Sequence, residues 1–429
     1  MEIRPFRGWH YQAGAGGDVS AYIAPPYDVL SAEDKAALLS QSDRNAVAVN
    51  LPHVPPDSAG PDELYRRAAE LLNKWKASGV LVQDQKPAIY VYEQSFQWAG
   101  RSHSRMAVIC GVRVSPPGGD VKGHEQTYAG PRADRLKLTE HTRMQLSPVF
   151  GFYRDPTGVV AELLATAAGR RPDLQGKLRG VAERIWTVTD AHVIGDVAST
   201  LREKPVFIAD GHHRYMTALS YRDAMLAAGR IGPDHEANFA MFAMVEADNS
   251  GLLILPTHRI VRGLLKGFTA ERLAAAAPEF DWQRSSVEDV DQTDVDAFLR
   301  RHGPGAMAFI DADPAEIWIA RLVNTQAMVA AAPDQINAWR QLDVAILHKL
   351  IIDKALQPWR TPDVFIDYTP DARSVLAACN SGRGQLGICL QRTPLLAVEE
   401  IALAGRSMPH KSTYFFPKAA TGLVLKPLE

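Results

Sequence analysis

The chain has 429 residues, and its 47 Lys+Arg against 49 Asp+Glu give a formal charge of −2. Hydrophobic residues make up 46% and charged residues 22%, ordinary values for a soluble globular protein of two or three domains. The near-neutral balance argues against a protein that holds nucleic acid mainly through its phosphates, which needs a basic excess.

In chain order, the first forty residues look loop-rich, with Gly14, Gly16, Gly17 and a stretch made rigid by Pro25-Pro26. After Pro61, the spacing of Leu64, Ala68, Leu71, Leu72 and Trp75 predicts a helix, with Gly79 placed to end it. Strands are expected over 88–93 and 106–114 around a turn at 99–101. Residues 116–148 are polar and basic and contain Gly123-His124-Glu125-Gln126-Thr127. Helices over 157–168 and 189–203 lead to the apolar strand 206–209, then Asp210-Gly211-His212-His213-Arg214 and a helix over 215–228 closed by Gly229. A strand over 239–245 and a loop at 256–259 complete this half.

From about 266 the texture changes. An Ala-rich helix (269–276), an acidic segment (287–295), strands over 307–310 and 317–322 and a helix over 342–355 suggest a second unit. The expectation is an α+β protein with domains at 1–265 and 266–429. The cysteines, Cys110, Cys379 and Cys389, are widely spaced, against a disulfide framework or a structural zinc site. The first six residues lack an apolar signal core, and no run approaches the roughly 18 apolar residues of a membrane span. A cytoplasmic protein without membrane or nucleic-acid partners is expected.

Gly382-Arg383-Gly384-Gln385-Leu386-Gly387 matches G-x-G-x-x-G. A dinucleotide site needs a strand before the glycines and a helix after them. Here a helical stretch precedes and a strand-like run follows, so a plain turn is the better reading. The sequence has no G-x-x-x-x-G-K-[ST] loop and no G-x-S-x-G elbow.

The turn at 210–214 carries the chemistry. A strand-to-helix turn presents free backbone N–H groups and a partial positive charge. Gly211 permits a tight turn and close approach of a ligand. His212, His213 and Arg214 add donors suited to phosphate oxygens. Asp210 would orient a substrate or hold Mg²⁺; the plainer alternative is a helix capped by Asp210. Zinc on His212 and His213 is weaker, since adjacent side chains diverge.

The strand followed by D-G-H-H-R-Y resembles the ParB/sulfiredoxin-like superfamily, and within it the free serine kinases. Sulfiredoxins carry Cys where this chain has His212, and ParB proteins carry a Glu-Arg-Arg version of the turn. Over nearly its full length the chain also resembles a prokaryotic family of uncharacterised function. The matching segments are Pro25–Val29, His124–Thr127, Asp210–Tyr215, Leu255–Arg259, Met408–Thr413 and a late F-P-K. The resemblance implies a ParB-like core with insertions plus a C-terminal α+β domain. It implies transfer of phosphate from ATP, ADP or pyrophosphate to the hydroxyl of free L-serine, or the reverse reaction on phosphoserine, with Mg²⁺ as the expected cofactor.

On this reading Glu125, Asp210 and His212 are catalytic, with Glu125 as base and Asp210 as the metal residue. Gly211, His213 and Arg214 hold phosphate, and Lys411, Ser412, Thr413 and Lys418 form a second clamp. Tyr27, Asp28, His124, Thr127 and Arg259 line the substrate pocket, with Arg132 and Arg135 as further cations. The ligand is a small molecule, and a homodimer is among the expected assemblies. The rivals are a ParB-like nucleotide-binding regulatory module acting on DNA or protein, and a metabolite sensor without turnover.

Overall fold

The computed structural model describes residues 1–13, 17–53, 59–289, 294–311 and 316–429. Gly14, Gly16 and part of the acidic 287–295 segment lie outside the described residues. Contacts divide the chain into one unit of Met1–Leu253 with Pro417–Glu429 and another of Ile254–Phe416. This differs from a simple cut near 265 because the last segment returns to the first unit. Backbone bridges join Leu425 to Trp9 and Thr421 to Ala24, and Lys426–Pro427 pairs with Met144–Gln145.

Among the described residues, the main sheet of the first unit has nine strands: β1 (Ile3–Arg4), β2 (Ile89–Trp98), β3 (Arg101–Arg113), β4 (Val121–Lys122), β5 (Val149–Tyr153), β6 (Leu174–Leu178), β7 (Val181–Val188), β8 (Val206–Asp210) and β9 (Phe239–Glu246). Their order is β4-β8-β5-β9-β3-β2-β7-β6, with β1 paired to β3. The sheet is mixed: β8 runs parallel to β4 and β9 parallel to β5, and the other pairings are antiparallel. The expected 88–93 and 106–114 strands are the β2–β3 hairpin, turned by Ala99 and Gly100 at φ 47° and 73°. Positive φ at both central positions matches the twist of the paired strands.

The expected helix after Pro61 is Asp62–Ala77, with Gly79 at φ 73° beyond it. Helices Val159–Ala167, Ala191–Leu201 and His212–Ala227 pack Val160, Leu164, Val197, Leu201, Tyr215 and Ala218 against Val108, Cys110 and Phe242 of the sheet. Two helices depart from the loop expectation. Ala32–Gln41 begins with a Ser31–Asp34 capping box. Ala129–Thr142 lies inside the polar 116–148 stretch, and it buries Asp134, Arg135 and Thr142 beside Leu138. A buried face that is itself polar leaves no hydrophobic period to detect.

The second unit holds a six-stranded antiparallel sheet in the order Phe280–Ser286, Glu316–Leu322, Met307–Ile310, Leu386–Cys389, His258–Leu264, Arg360–Thr369. His258 and Arg259 therefore begin a strand, which corrects the loop expected at 256–259. The helix expected over 342–355 is a short α-helix, Asp343–Ile346, continuing as a π-helix over Leu347–Ala355. The glycine-rich 382–387 segment follows helix Ala372–Asn380 and enters strand Leu386–Cys389, the order of a plain turn.

Gly151 on β5 faces Ile208 of β8 and has no room for a side chain. A Cβ there would lie 2.9 Å from Val206 Cγ2 and 3.1 Å from the Phe207 carbonyl oxygen. Gly151→Ala is expected to destabilise the first unit by about 1–3 kcal/mol through overpacking, read as a lowered urea midpoint.

Candidate phosphate-binding site

The pairing of β8 with β5 shifts register between Ile208 and Asp210. Such an irregularity re-aims the side chain that follows it. Gly211 then takes φ 94°, a left-handed conformation suited to glycine. A Cβ at Gly211 would also sit 2.8 Å from the guanidinium carbon of Arg214. Helix His212–Ala227 starts immediately, and no side chain caps its first amide groups. Asp210 is thus not the cap that the plainer reading allows. Its Oδ2 accepts from Arg214 Nη2 and its Oδ1 from Lys418 Nζ, each at 2.5 Å. Arg214 Nη1 also donates to the Pro148 carbonyl.

Glu125 reaches this turn. Its Oε2 lies 3.2 Å from His212 Nδ1. His212 Nε2 faces the backbone N–H of His124 at 3.1 Å, so Nε2 is the acceptor and the ring proton sits on Nδ1, toward Glu125. The His124 and His212 rings meet edge to face at 4.7 Å. A Cβ at Gly123 would lie 3.2 Å from His212 Cδ2, so the loop approaches closely. His213 Nε2 accepts from the Tyr128 N–H at 2.9 Å, and the two rings stack. The two imidazoles serve different backbone amides, which disfavours a shared zinc.

Burial opposes ionisation of Asp210, but Lys418 and Arg214 outweigh it and hold the carboxyl below its ordinary range. Glu125 behaves alike: burial raises its pKa, while His212, His124 and Lys418 bring it well below the usual carboxylate range. Its side chain still keeps 39% of its surface exposed. Burial, reinforced by His212, pushes His124 down to about 3, and burial also lowers His213. Tyr27 is pushed up to about 12 by burial and by Asp28. Asp28 itself is exposed, and its charge acts on His213.

Beside Arg214 a cavity of ≈ 50 Å³ is lined in part by Tyr27, Asn50, Arg135, Ser147 and Thr217. The Arg135 guanidinium lies 4.2 Å over the Tyr27 ring and donates to the Asn50 carbonyl and to Asp134. Among the described residues, the buried Asn50 Nδ2 and Thr217 Oγ1 have no hydrogen-bond partner. Neither residue carries a motif that sequence reading could have flagged. Thr127 is half-buried between Glu125 and Tyr128, and Arg132 donates to Ser220 Oγ at 3.2 Å.

The remaining expected residues belong to the second unit. Arg259 is buried, donates to the carbonyls of Thr257 and Lys411, and lies 5.4 Å from the Tyr368 ring centroid. Lys411 is exposed at φ 55°. Ser412 and Thr413 are buried, and the Ser412 hydroxyl donates to the Pro409 carbonyl at 2.6 Å. Of the expected second clamp, Lys418 alone belongs to the unit that carries Asp210.

Magnesium favours carboxylate oxygens left open to it, together with waters and substrate phosphates. Both Asp210 oxygens already accept from cations, so this arrangement does not fit Asp210 as a direct ligand. Among the described residues, no group of three His, Cys, Asp or Glu side chains is arranged to hold a metal. Among them too, no helix is long and apolar enough to cross a membrane.

A histidine kept neutral by burial resists protonation in the fold but not in the unfolded chain. His124 therefore contributes stability that is present above pH 6.5 and lost as pH falls toward 3. The loss reaches about 2 kcal/mol at pH 5. Thermal melts should show His124→Asn less acid-sensitive than wild type between pH 7 and 5; parallel pH profiles would contradict this.

No curated protein matches the chain. Among solved structures it is similar to a free serine kinase variant in complex with AMP, with TM-score 0.36 and 11% identity, covering 74% of this chain and 91% of that one. A conserved hypothetical protein from Pyrococcus furiosus gives 0.33 and 14%, covering 75% and 95%. SbnI with a C-terminal truncation, from Staphylococcus aureus, gives 0.34 and 10%, covering 75% and 87%. A family model described as a protein of unknown function, DUF1015, matches residues 3–345, and the chain belongs to that family.

Proposed function

We propose that the protein is a phosphotransferase that moves a phosphoryl group between ATP, ADP or pyrophosphate and the hydroxyl of a small metabolite, free L-serine first. The observation that carries this reading is the 3.2 Å approach of Glu125 to His212. It brings an ionised carboxylate to the same turn as the uncapped amides, Arg214 and Lys418. Base and anion site are the two requirements of phosphoryl transfer to an alcohol.

In the proposed step the acceptor hydroxyl gives its proton to Glu125 as its oxygen bonds to phosphorus. The bond to the leaving phosphate breaks with its electron pair retained by that oxygen. The first-turn N–H groups, the Nδ1–H of His213 and Lys418 offset the charge spread over the phosphate oxygens. Asp210 holds Lys418 and Arg214 in place. The cavity beside Arg214, with its Asn50 amide and Thr217 hydroxyl, suits the polar end of a small acceptor. Magnesium enters this scheme only with the donor's phosphates. The same arrangement runs in reverse on phosphoserine.

Incubation with L-serine, Mg²⁺ and ATP, ADP or pyrophosphate in turn should yield phosphoserine with at least one donor. No product from folded protein with any donor overturns the reading, and ligand-induced stabilisation without turnover would favour a sensor instead. Glu125→Gln should lower kcat by roughly 10²–10⁴-fold with melting unchanged. Because His212 and its neighbours hold Glu125 ionised below the ordinary carboxylate range, the base form persists as pH falls. The acid limb of the rate profile should therefore not place Glu125 at or above pH 4.5.

A further inference from the structure

Lys418 reaches Asp210 from a segment with no regular secondary structure over 417–420. That segment lies on a row of buried polar side chains. Arg105 of β3, Gln94 of β2 and Glu183 of β7 stand near one another across three neighbouring strands. Gln94 is the direct partner of both Arg105 and Glu183 in the sheet. All three are at most 2% exposed, as is Tyr92, two residues before Gln94 and on the same face.

Hydrogen bonds tie this row to the 417–420 backbone and its members to one another. Arg105 donates to the Pro417 carbonyl and, through Nε at 2.9 Å, to Gln94 Oε1. Gln94 Nε2 is shared between the Lys418 carbonyl at 3.1 Å and Glu183 Oε1 at 3.2 Å. Tyr92 accepts from the Ala420 N–H at 3.0 Å and donates to Glu183 Oε2 at 2.7 Å. We propose that this row is a latch that fixes the backbone around Lys418 so that its ammonium meets Asp210.

The reason lies in donor and acceptor counting. Gln94 and Tyr92 both present hydrogens to Glu183, so an ionised carboxylate satisfies both. Glu183→Gln would offer one acceptor oxygen in place of two, so a hydrogen of Tyr92 or Gln94 would lose its acceptor in a dry site and the hold on Ala420 or Lys418 would weaken. The groups facing Glu183 are Tyr92 and Gln94 from β2 and Arg105 from β3; on β6 its neighbour is Gly176, which has no side chain. Burial pushes Glu183 up to about 7 against the pull of Tyr92, Gln94 and Arg105.

The latch is testable without any assumption about catalysis; its effect on phosphate binding rests on the function proposed above. Amide exchange of the 417–425 segment would be followed in the full-length protein at pH 8. Glu183→Gln and Tyr92→Phe should each exchange about ten-fold faster than wild type there. Protection equal to wild type in both variants overturns the latch. Pyrophosphate affinity is measured on the same samples. If it stays constant while the segment loosens, the latch stands and the assignment of Lys418 to a phosphate site falls.

Discussion

A buried carboxylate shared by two cations is the constraint on which the site depends. Asp210 lies at the end of a strand, 12% exposed, between Arg214 and Lys418. Removing either cation would leave a charge uncompensated in a poorly solvated place, a change that typically costs about 3–5 kcal/mol. The two partners come from opposite ends of the sequence scale. Arg214 is one helical turn away, whereas Lys418 is 208 positions on. Gly211 is required so that the chain turns tightly enough for the first, and the return of the C-terminal segment supplies the second. Both the turn at 210–214 and the closure of the first unit are thus tied to one side chain.

Around this centre the histidines act through hydrogen bonds to the backbone. His212 and His213 each accept a backbone N–H at Nε2, from His124 and Tyr128. That fixes the loop carrying Glu125 and leaves the Nδ1–H of His212 toward Glu125. His212, expected to hold phosphate directly, instead faces Glu125. In the proposed function its place is that of a residue orienting Glu125. Such use of imidazole demands that protons stay off Nε2, which burial favours at His213.

The local part of the site was legible in the sequence. An apolar strand, a glycine and a helical run around two histidines and an arginine define the turn by short-range rules alone. The partnership of Lys418 with Asp210 was not, because no pattern within the late F-P-K segment names a residue 208 positions earlier. The supporting row was hidden for a different reason. Gln94, Arg105 and Glu183 sit in strands at positions that alternation assigns to solvent, yet the returning segment covers that face. The helix over Ala129–Thr142 escaped notice because its inward face carries Asp134 and Arg135. In each case the missing information is a contact between distant parts of the chain, and polar burial erased the hydrophobic signal that would have marked it.

The most direct measurement is a crystal structure of the full chain with pyrophosphate or ADP. The account predicts a phosphate within hydrogen-bonding distance of the His212–Arg214 backbone amides, with Lys418 Nζ among its neighbours and Glu125 facing open space beside it. A phosphate held elsewhere, with the turn at Gly211 bare, would contradict it.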